Sequence, residues 1–118
     1  ISKDASVAKS ANLGDGIVIC PGAVVMADAK IGDDVIINTL SSVDHECIIG
    51  PHTQVTAGVT LGGQAHIGEN CFLGVKSAVL PKVKVGENSV IMAGALVTKD
   101  LPANVMAGGS PAKIMRQL

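Results

Sequence analysis

Aromatic residues are almost missing from these 118 residues: Phe72 stands alone, with no Trp and no Tyr. Sandwiches and helical bundles draw much of their buried area from aromatic rings, so such cores are hard to build here. Yet 47% of the chain is hydrophobic, which leaves an aliphatic interior and favours a narrow, repetitive one. An excess of either charge is missing too. Nine Lys and Arg stand against ten Asp and Glu, interspersed, for a net charge of -1; there is no basic stripe for nucleic acid and no polybasic segment for a membrane surface. No apolar run approaches the ~20 residues of a membrane span, so membrane insertion is not expected, and no signal-peptide pattern opens the chain. Cys20, Cys47 and Cys71 form no CxxC pair and cannot all pair internally, which fits a reducing, cytoplasmic compartment. The length suits one domain, and Ile1 in place of an initiator Met is expected of a piece of a longer protein.

What is present is a period of six. An aliphatic residue occupies every sixth position from Ile1, through Val7, Leu13 and Ile19, to Val97, and no position in the series fails. Ile, Val and Leu make up 34 of 118 residues, so chance would produce the run with a probability on the order of one in a billion. Two residues before each lies a small or β-branched residue, among them Ala23, Ala29, Ser41, Cys47, Thr53, Cys71 and Ser89. Positions two apart on a strand share a face, so both sets are expected inside, a large and a small residue together filling a tight interior. Gly often follows the aliphatic residue (Gly14, Gly32, Gly50, Gly62, Gly68, Gly74, Gly86), and the next slot carries Pro21, Pro51 and Pro81. These slots read as corners, Gly for strained dihedrals and Pro for lack of a ladder amide. The pattern resembles the hexapeptide-repeat left-handed parallel β-helices, an all-β triangular solenoid, and that resemblance implies a coil of eighteen residues. The helix is expected over residues 1–102; periodicity stops after Val97, Lys99 to Pro102 leave the coil, and residues 103–118 form a tail that caps the last coil or docks on a neighbour.

In this frame His45 shares the corner slot of the three prolines and projects outward, flanked by Asp44 and Glu46. A carboxylate beside an exposed imidazole can orient it as a general base; the bland alternative is a surface histidine with two solvating acids. Gly63 falls one coil beyond His45, where an amide without a side chain could meet an oxyanion or where Gly62-Gly63 is simply a turn. Cys47, though two residues from His45, sits in the inward small slot with Cys71, which argues against a Cys-His nucleophile.

The run from Ile37 to Gly50, containing Asn38 and Asp44-His45-Glu46-Cys47, resembles the catalytic segment of the sugar acetyltransferases of the PglD and NeuD type. The likeness continues through Ile67-Gly68-Glu69-Asn70-Cys71-Phe72-Leu73-Gly74 and Gly109-Ser110-Pro111-Ala112-Lys113. It implies that the histidine matching His45 takes the acceptor's proton, that the acid matching Glu46 strengthens it as a base, and that the Gly63 amide holds the oxyanion. It further implies acetyl-CoA in a groove between subunits of a homotrimer, touching positions matching Gln54, Val75 and Ala93, with Asn38 near the acceptor. The chain departs from the pattern at two of these, having Gln54 for histidine and Ala93 for glycine, so contacts there would run through the backbone. The implied reaction is direct acetyl transfer to the amine of a nucleotide-linked amino sugar, with O-acetylation of a sugar of the sialic acid type as the runner-up. Two rivals from other classes are a non-catalytic β-helix scaffold and a zinc site of three histidines. Against zinc, the only histidines are His45, His52 and His66, at intervals that do not match a three-histidine site, and no metal is expected.

Overall fold

A computed structural model describes residues 1–118 as a left-handed parallel β-helix of about six turns, 38 by 21 by 20 Å, without a helix. Sixteen two-residue strands, β1 (Ser6–Val7) through β16 (Leu96–Val97), follow one per hexad. Each pairs in parallel with the strand eighteen residues away, as in Ser42 with Thr60 and Ile31 with Ile49. Three sheets result. The first face carries Ser6–Val7, Ser42–Val43 and Thr60–Leu61 among six strands; the second carries Lys30–Ile31, Ile48–Ile49 and His66–Ile67 among five; the third carries Ile36–Ile37, Gln54–Val55 and Phe72–Leu73 among seven.

The aliphatic series and the small series both line the interior, where 24 buried residues form one cluster. Phe72, the single aromatic, lies outside on the third face, 43% exposed. The small slot is polar where its hydroxyl or thiol can serve a corner carbonyl: Thr53 Oγ1 donates to Gly68 O at 2.8 Å, Ser41 Oγ to Asn38 O at 2.6 Å and Cys47 Sγ to Gly62 O at 3.1 Å. Ser77 Oγ is the exception, buried without a partner. The series also meets its limit at the open first coil: Ile1 is 69% exposed, and Val7 and Leu13 are only half-buried against the core.

The corners differ from the expectation in one respect. Positive φ falls on every sixth residue from Gly16 to Gly94, one place after the proline slot. Pro followed by a positive-φ residue is the signature of a type II turn. Gly, Asp and Asn often fill this place, but so do Leu40, Glu46, His52, Gln64, Lys76 and Lys82. The glycines that follow the aliphatic residue serve close approach instead: a β-carbon on Gly50 would lie 2.5 Å from the backbone nitrogen of Glu69 in the next coil.

The ladder also runs past residue 102. Leu101 bridges Val85, and β17 (Val105–Gly109) pairs in parallel with Val90–Ile91 on the third face, each at a separation of sixteen residues. The last coil is therefore two residues short, which is why the hexad frame loses it. β18 (Ala112–Gln117) folds back antiparallel on β17, and Val105 and Ala107 are fully buried beneath this hairpin. No helix is long and apolar enough to cross a membrane.

Candidate active site

Asp44 to Cys47 form the β-turn that joins the first face to the second, closed by the Cys47 amide donating to Asp44 O at 3.4 Å. The Asp44 carboxylate accepts the His45 backbone amide at 2.7 Å. His45 takes the second place of this turn and Glu46 the third, with φ +59°. Both side chains are about half exposed, 53% and 52%, and His45 Nδ1 lies 3.1 Å from Glu46 Oε1. A carboxylate at Nδ1 favours the tautomer with the proton there, leaving the Nε2 lone pair basic.

That Nε2 faces the next coil. A β-carbon on Gly63 would sit 2.5 Å from His45 Nε2 and 2.7 Å from its Cε1, so the imidazole occupies the space that any larger residue at 63 would fill. The Gly63 amide has no acceptor within the chain, while the Gln64 amide donates to His45 O at 2.9 Å and locks the two turns in register. A basic nitrogen, a supporting carboxylate and a free amide thus meet on one exposed edge. That set can take a proton from a nucleophile and stabilise a nearby developing oxyanion.

The structure does not bring the other expected site residues to this edge. Asn38, Val75 and Ala93 lie on the edge between the third and first faces, where the Gly94 amide donates to Val75 O at 2.9 Å. Asn38 Oδ1 accepts the Thr39 amide at 2.7 Å. Val75 and Ala93 are exposed. Gln54 is exposed on the third face, between Ile36 and Phe72. His52 stands on the remaining edge, 3.3 Å from Asp34 Oδ2, and His66 on the second face between Ile48 and Lys84. The three histidines are thus dispersed, and no three His, Cys, Asp or Glu side chains converge on a common point. Cys47 and Cys71 are buried, and desolvation pushes both thiols above their usual range, the opposite of what a nucleophilic thiolate requires. Sequence reading missed Gln64, whose Nε2 lies 3.5 Å from Glu46 Oε1. The coil repeat stacks residue 64 on residue 46, but it carries no sign that their side chains meet.

Fold and edge together define a hexapeptide β-helix with a histidine-carboxylate pair on its surface. The family model described as bacterial transferase hexapeptide (six repeats) matches residues 28–63 and 64–99, and the chain belongs to that family. Among solved structures it is similar to the acetyltransferase domain of PglB from Neisseria gonorrhoeae in complex with acetyl coenzyme A. That likeness has a TM-score of 0.95 and 34% identity over 96% of this chain and 55% of the other. It is also similar to a histidine-to-alanine variant of GDP-perosamine N-acetyltransferase from Caulobacter crescentus, in complex with CoA and GDP-perosamine. Here the TM-score is 0.88 and identity 38%, over 99% of this chain and 56% of that one. A galactoside O-acetyltransferase of Lactococcus lactis is 48% identical over 61 residues, 52% of this chain and 30% of that protein. The chain thus spans about half the length, or less, of the proteins it resembles.

Proposed function

We propose that this chain is the catalytic β-helix of an acetyl-CoA-dependent acetyltransferase that acetylates the amine of a nucleotide-linked amino sugar. The observation that carries the reading is His45 Nε2 lying over Gly63 while Nδ1 is held 3.1 Å from Glu46. In this mechanism Nε2 takes a proton from the acceptor amine as its nitrogen attacks the thioester carbonyl. The N–C bond forms, the carbonyl oxygen becomes an oxyanion facing the Gly63 amide, and collapse breaks the C–S bond. The proton on Nε2 then passes to the leaving thiolate, giving CoA and the amide with no acyl-enzyme. The amine acceptor is supported by the GDP-perosamine N-acetyltransferase, solved with CoA and GDP-perosamine and aligned over 99% of this chain.

The cosubstrate site is proposed to need a second copy. Val75 and Ala93 stand on a different edge of the prism from His45, with the first face between them, and Gln54 lies on the third face, so we propose that acetyl-CoA touching them and His45 lies in a groove between subunits. A cyclic homotrimer supplies three such grooves. Free cysteines and use of acetyl-CoA fit a cytoplasmic enzyme. Acetylation of a sugar hydroxyl is the second reading, favoured by the galactoside O-acetyltransferase; a non-catalytic scaffold would bind no CoA.

Calorimetric titration of acetyl-CoA into the trimer tests the class. Saturable binding near one site per chain is expected; a trimer that binds none would return the protein to the scaffold reading. With GDP-perosamine and a galactoside compared as acceptors, His45→Ala is expected to lose about 100-fold or more in turnover while melting like the parent. Retention of more than about a tenth of the rate would remove His45 as the base.

A further inference from the structure

Gln64 occupies the positive-φ turn place one coil above Glu46, with φ +63°. Like Leu40, Lys76 and Lys82 at the same turn place, it carries a long side chain there; the stacking of coils sets this one against Glu46. The backbone N–H of Gln64 donates to His45 O at 2.9 Å, and its side-chain Nε2 reaches Glu46 Oε1 at 3.5 Å. That oxygen is the one facing His45 Nδ1 at 3.1 Å. Glu46 is about half exposed, and an exposed ion pair of two neighbouring side chains is weak by itself, because a free carboxylate rotates into water. A second donor on the same oxygen restricts that rotation.

We propose that Gln64 is a positioning residue: it holds Glu46 Oε1 against His45 Nδ1 and so keeps Nε2 as the basic nitrogen above Gly63. The catalytic part of this statement rests on the base role of His45; the geometric part does not. Gln64→Ala removes the donor, and Gln64→Glu keeps the shape while replacing the donor with an acceptor. Nitrogen-15 NMR of the His45 ring in substrate-free protein, at a pH where the ring is neutral, reads the tautomer directly. The parent chain is expected to show predominantly the Nδ1–H form, and both variants a mixture with substantial Nε2–H. With acetyl-CoA and GDP-perosamine the variants are expected to lose about five- to twenty-fold in kcat, with KM for acetyl-CoA within about twofold, since the change lies at the proton-transfer step. Melting curves that match the parent would show that the turn has survived. An unchanged tautomer in both variants overturns the proposal. An active His45→Ala counts against His45 as the base and a parent that binds no acetyl-CoA against the acetyltransferase reading, while the tautomer measurement still decides the role of Gln64.

Discussion

At the residue scale, the site depends on what is absent at position 63 as much as on what is present at position 45. Gly63 lies outside the positive-φ set, so Gly63→Ala is compatible with the backbone, yet its methyl would enter the imidazole's space at 2.5 Å. The ring must swing away. The expected outcome is a loss of about 100-fold in kcat/KM with an unchanged melting temperature, checked by steady-state assay beside a thermal melt. The buried thiols give a second residue-level prediction. Burial raises Cys47 and Cys71 above the ordinary value of 9.0, so the unfolded chain sheds these protons first. Their contribution to stability is therefore complete below that pH and falls as pH rises past it. Urea unfolding across the alkaline range should show a slope that the double variant Cys47→Ala, Cys71→Ala flattens. A thiol reagent should meanwhile modify half-exposed Cys20 well before the other two.

At the scale of the element, a two-residue strand has no independent stability; it exists because coils above and below hold it. Ile67 illustrates this, being fully buried between Ile49 and Val85 in the second face. Ile67→Ala is expected to cost about 2–5 kcal/mol, near the upper end because paired strands on both sides limit collapse into the void. Denaturant unfolding measures it. The equivalent change at Ile1, which is 69% exposed at the open coil, should be close to neutral. Equal losses at the two positions would contradict a core that is closed in the middle and open at that end. The hairpin of β17 and β18 covers the opposite end, where Val105 and Ala107 are buried.

At the scale of the whole molecule, one chain carries His45 on one edge and Val75 and Ala93 on another, so the proposed site is completed between copies. Mixing provides the test. A chain with His45→Ala and a chain with Val75→Trp should each be inactive, yet in the proposed assembly refolding them together in equal amounts should restore about a quarter of all grooves, or about one groove in three of each mixed trimer, each joining one intact half from each parent. No recovery from verified mixed trimers would place both halves of the site on the same chain. Much of this was legible in the sequence, because burial in a solenoid repeats with the chain: the aliphatic series located the interior, the proline slot turned His45 outward, and the coil repeat placed Gly63 beside it. Periodicity reports which residues face inward and little else. Which corner place takes positive φ depends on turn geometry that Leu40, Glu46 and Lys82 accept as well as Gly22, so composition did not reveal it. The short last coil breaks the period by two residues and is recovered only through its ladder partners. The contact of Gln64 with Glu46 is a matter of two side-chain rotamers meeting across coils, and rotamers are set by neighbours in space, which only the tertiary structure supplies.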